Sequence, residues 1–372
     1  MSFVLLIVGA LLLLDVLWWM AATRLLRNAR WKLGVAIAHA LFIVLQFVGL
    51  IVVILSRRPE FPFELPRIGT AIVYVWHLLV LPMLAPLLLV GGLVGAVIGV
   101  LKRLKGAPAA RQVHIRQLSQ GPVMNRRTFL GTAATLAPPL LTVSLTGIAM
   151  RQLEDFRVRR LEIGITNLPP ALDGATIAHV SDMHVGRFTT GDVLRRMIAA
   201  VNDLRADVVL LTGDLINSSL DELPEAIATV RQFSAAAGVY TIEGNHDLFN
   251  GREEFEQRVK ASGLSLLVNE TADIKLRGHP VSLLGLRWGG PGIYGARPRS
   301  TEEGIRASLA ELLVGRNPDA FPILLAHHPH AFDGAAEAGI PLTLAGHTHG
   351  GQLMLNEETG FGPMIFRYWS GL

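Results

Sequence analysis

The sequence predicts a layered α/β domain over residues 151–372, preceded by an all-α membrane region of three to four helices over residues 1–150. Three observations lead to this. Apolar runs almost free of charge fill residues 3–22, 34–55 and 70–100, with a weaker run over 128–150; about 20 such residues cross a bilayer core. The charge divides at the same place. Up to residue 150 there are 14 Lys and Arg against three acidic residues, a net +11, and beyond it 20 against 27, a net −7. From Gly174 onward short apolar runs alternate with amphipathic stretches, a pattern of stacked sheet and helix rather than of a helical bundle.

The first two runs are uninterrupted. The third contains Pro82 and Pro86 and is long, so a kink or tilt is expected. Pro138 and Pro139 break the fourth, and Thr and Gly dilute it. Short loops rich in Lys and Arg stay in the cytoplasm. Arg24, Arg27, Arg30 and Lys32 follow the first run, and Lys102, Arg103, Lys105, Arg111, Arg116, Arg126 and Arg127 follow the third. Both loops are cytoplasmic only if the N-terminus lies outside, and a fourth span then places residues 151–372 outside as well. Asn125-Arg126-Arg127-Thr128-Phe129-Leu130-Gly131, ahead of an apolar stretch, resembles a twin-arginine export signal; the other reading is a basic flank on a transmembrane helix. His39 and His77 lie within spans, where a neutral His is more often a packing or hydrogen-bonding residue than part of a proton path.

The pI of 9.7 belongs to the membrane half, so it indicates no nucleic-acid-binding surface on the mildly acidic second half. Cysteine is absent, which excludes disulfides and thiolate ligands. A metal site here must use nitrogen and oxygen donors.

Five short runs read as buried strands, each stopping at glycine or polar residues. Residues 175–180 lead into Asp182-Met183-His184, and 207–211 into Gly213-Asp214. Residues 238–242 lead into Gly244-Asn245-His246-Asp247, 321–326 into His327-His328-Pro329, and 341–345 into Gly346-His347-Thr348-His349. Loops at the carboxyl ends of strands form the ligand crevice of an open α/β sheet, so five deliveries should converge on one edge. Helices are expected over 191–204, 221–236 and 302–314, a further strand over 281–288, and a surface loop over 289–299.

Asp-x-His places two side chains on the same side of an extended segment, and carboxylate with imidazole suits Mn, Fe or Zn. The carboxylate of Asp214, on a glycine turn, can bridge two ions. Asn245 offers a neutral carbonyl oxygen, and His347 and His349 two imidazoles one residue apart. Each motif alone is weak; their order and their places after strands carry the case.

That ordered set, Asp-x-His, Gly-Asp, Gly-Asn-His-Asp, His and Gly-His-x-His over residues 174–354, resembles the calcineurin-like metallophosphoesterase superfamily. With the preceding spans it is most similar to the membrane-associated or exported bacterial phosphodiesterase-like branch. The resemblance implies an αββα sandwich and two metal ions. Asp182, His184 and His349 would hold the first, Asn245, His327 and His347 the second, and Asp214 both. His246 would stand beside the substrate as proton donor with Asp247 orienting it. Two ions about 3.5 to 4 Å apart lower the pKa of a shared water, giving metal-bound hydroxide as nucleophile on a phosphoester.

The expected location is the bacterial cytoplasmic membrane, multi-pass, with the catalytic domain on the extracytoplasmic side and a substrate that is a phosphodiester, lipid-linked where the tether favours it. The alternative is a membrane transporter or sensor whose exported metal-binding domain is not catalytic. Arg187, as a contact to substrate phosphate, His328 and His330, as pocket lining, and Trp288 and Tyr294, as contacts to an organic substituent, are lesser candidates, while His179, within a strand, reads as a packed neighbour. The chain stops at Tyr368-Trp369-Ser370-Gly371-Leu372 where the family usually continues, which leads one to expect an unpaired sheet edge.

Overall fold

The computed structural model describes residues 2–26, 32–56, 61, 63–104, 126–153, 156–288, 301–314 and 316–349; Tyr294 and residues 368–372 lie outside this set. The chain divides into two compact units, Met1–Glu154 and Asp155–Leu372.

The first unit is helical: α1 (Ser2–Leu26), α2 (Lys32–Leu55), α3 (Arg67–Tyr74), a π-helical turn (Val75–Val80), α4 (Leu81–Leu104) and α5 (Arg126–Gln152). Among the described residues, four stretches are long and apolar enough to cross a membrane: Leu6–Leu25, Leu33–Leu55, Arg67–Leu101 and Phe129–Gln152. The third has 35 residues, more than the roughly 20 a bilayer core requires. Its irregularity sits where the prolines predict. Leu81 N–H reaches back five residues to Trp76 O, and Pro82, with no N–H, cannot bond Leu78 O. Pro138 and Pro139 do not break α5, which continues through both.

Polar side chains are sequestered inside this unit. Asp15 is fully buried and accepts from Trp76 Nε1 at 2.7 Å, while His77 Nε2 lies 3.0 Å from its other oxygen and His77 Nδ1 2.9 Å from Val73 O. The Val73 carbonyl only accepts, so His77 carries a proton at Nδ1 and the Asp15–His77 contact shares one further proton. Each Asp15 oxygen thus has a partner, as ionisable groups facing the interior of a helical bundle do at membrane depth.

The second unit holds two four-stranded sheets. β1 (Ile177–Val180), β2 (Val208–Leu211), β3 (Val239–Thr241) and β4 (Ser265–Leu266) run parallel in that order. β5 (Glu270–Leu276) pairs antiparallel with β6 (His279–Gly285), which continues parallel through β7 (Phe321–Leu325) to β8 (Leu342–Leu344). Arg277 and Gly278, both at positive φ, form the two-residue hairpin between β5 and β6.

Strand alternation builds the layers. Val208 and Leu210 of β2 face Leu283 of β6 and Ile323 and Leu325 of β7 in a core between the sheets. Their neighbours Val209 and Leu211 face Leu194 and Val201 of α6 (Asp192–Asp203), Ala226 and Val230 of α7 (Leu223–Val230), and Phe255 and Val259 of α8 (Arg252–Ala261). On the far side Leu284 and Leu324 meet Leu309 and Leu312 of α9 (Thr301–Val314) and Ala331 and Ala335 of α10 (Ala331–Glu337). The result is an αββα sandwich. The expectation of a single sheet edge is corrected: β1, β2 and β3 belong to one sheet and β7 and β8 to the other. Apolar strands buried on both faces carry no sequence mark of which sheet they join.

Candidate dinuclear metal centre

All the expected ligands lie just beyond strand ends: Asp182 and His184 after β1, Asp214 after β2, Asn245 after β3, His327 after β7, and His347 and His349 after β8. Five of them leave the strand through left-handed backbone: Asp182 at φ 52°, His184 at 43°, Asp214 at 54°, His347 at 72° and His349 at 47°. Such conformations cost about 1–3 kcal/mol each for a residue with a Cβ, and cross-ties hold them in place. Asp182 N donates to Gly213 O (3.1 Å), His184 N to Asp214 O (2.9 Å) and Gly346 N to His327 O (3.1 Å). Gly213, at φ 91°, has no room for a side chain, since a Cβ would sit 2.6 Å from Gly244 N.

The side chains converge as two groups that share one carboxylate. Asp182, His184, Asp214 and His349 form the first, and Asp214, His327 and His347 the second, with the donor atoms of each group within 4.8 Å of one another. Asp214 Oδ2 stands 3.4 Å from His184 Nε2 and 3.2 Å from His327 Nε2, and its Oδ1 accepts from His246 N at 2.8 Å. Asn245 Oδ1 lies 3.1 Å from His327 Nε2 and 2.8 Å from His347 Nδ1. His349 Nε2 lies 3.2 Å from Asp182 Oδ1 and 3.0 Å from His184 Nε2.

Chemically this set fits a pair of divalent ions. His327 Nδ1 lies 2.6 Å from Thr212 O; a carbonyl only accepts, so Nδ1 carries a proton, and once the ring gives up its other proton the Nε2 lone pair points into the cluster. There it meets Asp214 Oδ2 and Asn245 Oδ1, both acceptors as well. Lone pairs so directed require a cation or shared protons between them. Nitrogen and oxygen donors match Mn, Fe or Zn.

The electrostatics agree. Burial drives the His184 imidazole down to about 4, so it is a neutral donor at physiological pH, and burial with the neighbouring His327 lowers His347. Burial opposes ionisation of Asp182, but hydrogen bonds from His349 and Ser181 outweigh it and hold the carboxyl well below the ordinary range. Asp214 is likewise lowered against its burial by His327 and His184. Conversely, a hydrogen bond to Asp182 raises His349, and Asp214 raises His327 against its desolvation.

His246 sits on the rim of the cluster, its ring centroid 4.4 Å from that of His184. One expected contact is corrected. His246 Nδ1 lies 2.5 Å from Asn217 O, so that carbonyl, not Asp247, orients the ring. Asp247 is fully buried and accepts from Ile216 N (3.1 Å) and Gly244 N (2.8 Å), fastening the turn that presents Asn245. Burial, then the charge of Asp214, raises its pKa to about 8.

Two contributors, Thr212 and Ser181, carry no sequence mark. Thr212 supplies its carbonyl to His327, and its hydroxyl donates to Ser181 Oγ at 2.8 Å, which in turn donates to Asp182 Oδ2. His179 joins this chain through Nε2, 2.8 Å from Thr212 Oγ1. Burial and the adjacent His330 and His347 push His328 down to about 3. Trp288 packs against His327, His328 and His347 at centroid distances of 5.2, 5.6 and 5.0 Å.

Comparison with known proteins meets this geometry. The family model for calcineurin-like phosphoesterase matches residues 175–351. The chain is 30% identical over 260 residues to the uncharacterized metallophosphoesterase YkuE of Bacillus subtilis, covering 65% of this chain and 82% of that protein. It is 31% identical over 201 residues to a zebrafish (Danio rerio) transmembrane protein with metallophosphoesterase domain, covering 53% of this chain and 45% of that protein. A Bos taurus protein of the same description is 30% identical over 205 residues, again with 45% of its length covered. The chain thus spans about half the length of these two animal relatives. Site, fold and relatives together place the chain in the calcineurin-like metallophosphoesterase family.

Proposed function

We propose that this protein is a dinuclear-metal phosphodiesterase, anchored in a bacterial cytoplasmic membrane by its N-terminal helices and acting on an extracytoplasmic, lipid-linked phosphodiester. One observation carries the catalytic part: six Asp and His donors converge in two groups that share Asp214, with Asn245 Oδ1 against His327 and His347 and His246 at the rim. Asp182, His184 and His349 would hold one ion, Asn245, His327 and His347 the other, and Asp214 both. The ions, when bound, supply Lewis-acid stabilisation of the phosphoryl oxygens and activation of a water. His246 does the chain's own proton work. With Nδ1 engaged by Asn217 O, its Nε2 is the atom that passes a proton to the departing alkoxide. Asp247 holds the Gly244–Asn245 turn and so positions both Asn245 and His246.

The basic segments after the first and third spans support the extracytoplasmic placement, and the twin-arginine-like Asn125–Gly131 stretch points the same way. The transporter or sensor reading draws on the buried Asp15, Trp76 and His77 cluster. One experiment separates them. Full-length protein in nanodiscs, loaded with Mn, is expected to hydrolyse bis(p-nitrophenyl) phosphate faster than p-nitrophenyl phosphate, and to lose both activities on chelation. Metal-loaded, folded protein that cleaves neither would overturn the enzymatic reading.

A further inference from the structure

We propose that Trp288 is a specificity-determining residue of the phosphoesterase site, a wall on which a planar apolar substituent of the substrate rests beside Asn245, His327 and His347. The substrate class named is therefore a phosphodiester with an aromatic or similarly flat apolar group next to the phosphorus. This rests on the phosphodiesterase reading for its substrate, but its binding test does not need turnover.

Trp288 is held at its main chain from across the site. It follows β6, in the sheet opposite β3, yet both its backbone polar groups are tied to the β3 side. Trp288 N donates to Glu243 Oε1 at 3.2 Å, and Arg252 Nη2 donates to Trp288 O at 2.8 Å. Arg252 Nη1 lies 3.6 Å from the same Glu243 oxygen. Glu243 is fully buried and immediately precedes the Gly244-Asn245-His246 turn. A buried carboxylate is costly unless paired and hydrogen-bonded; here the same oxygen faces Arg252, Arg287 Nε at 3.9 Å and the backbone N–H of Trp288. Arg287, the preceding residue, also donates from Nη2 to Glu256 at 2.8 Å.

The ring so placed is half-buried and lies against the imidazoles of His327 and His347. Neither contact supplies a donor to an ion. What the indole adds at this position is a broad flat apolar surface, the kind that organic groups stack on. A core residue needs burial alone, whereas this one has both main-chain groups held by Glu243 and Arg252 and its ring on the ligand side chains.

The test is binding of two non-reactive diesters, diphenyl phosphate and dimethyl phosphate, to Mn-loaded full-length protein by calorimetry, with ion content measured in parallel. Wild type is expected to bind diphenyl phosphate roughly tenfold more tightly than dimethyl phosphate, in line with typical aromatic contacts. Trp288→Ala should remove that preference while keeping dimethyl phosphate affinity and ion content, and Trp288→Phe should restore most of it. Absence of the preference in wild type, its survival in Trp288→Ala, or loss of ions from both variants would overturn the proposal. Turnover is read separately, so a protein that discriminates between the two ligands but hydrolyses no diester contradicts the phosphodiesterase reading and upholds Trp288.

Discussion

Asp182, His184, Asp214, His347 and His349 each adopt a backbone conformation that an L-residue avoids, and each delivers a donor to one small volume. The strain is local and the return comes from what the donors bind, so ion binding should stabilise the fold as well as enable chemistry. Proton linkage gives this a sign. In the ion-free protein Asp214 keeps His327 and Asp182 keeps His349 protonated above the ordinary imidazole range. A raised folded-state pKa contributes stability that is fully present below the unfolded value of about 6.5 and is lost as pH rises through the folded value. The ion-free Tm should therefore fall above about pH 6.5, while the increment from added Mn grows, because both imidazoles must shed a proton to ligate. Thermal unfolding with and without Mn from about pH 6 to 8.5, an interval set around that unfolded value, checks this, and parallel curves would refute it. His246 is a different kind of residue. His246→Ala should keep both ions and lose turnover by roughly 10²- to 10⁴-fold, the usual share of a general acid; metal analysis beside a rate assay decides, and unchanged turnover would remove it from the reaction.

At the scale of elements, what the sequence makes legible is the strand that ends in glycine and a donor. Each of the five apolar runs carries Val, Ile, Leu or Ala and stops at a turn, so β1, β2, β3, β7 and β8 and their ligands could be placed before the fold was known. Elements without an apolar run were missed. β5 mixes exposed and half-buried positions with only Leu276 buried, β4 spans two residues, and α8 shows only Phe255 and Val259 on one face of a charged helix. Contacts between loops were equally hidden: nothing in the order of residues says that Trp288, after β6, reaches His347, after β8. Asp247 misled for a local reason. It adjoins His246 in sequence, but the short 3₁₀ turn His246–Leu248 sends its carboxylate to Ile216 N and Gly244 N instead. In the helical unit the elements make their own prediction. Asn at position 15 can accept from Trp76 Nε1 and donate to His77 Nε2, so Asp15→Asn should leave thermal stability in detergent nearly unchanged. Asp15→Leu strands both partners and should cost about 1–3 kcal/mol per buried group. Equal damage from the two substitutions would mean that the charge itself is needed.

For the whole molecule, composition and structure divide the chain at nearly the same residue: a basic helical unit that can cross a membrane, and a mildly acidic αββα unit that carries the site. Each half explains features that the other would make puzzling. The high pI comes from loops beside the spans, and the histidines come from loops beyond the strands. The central claim is that the second unit holds two ions through one shared carboxylate, and metal content measures it most directly. Full-length protein equilibrated with Mn and freed of excess ion should carry two ions per chain, and Asp214→Ala, which removes the oxygen facing both His184 and His327, should lose both together. One ion or none in the wild type, or two retained after Asp214→Ala, would contradict the account.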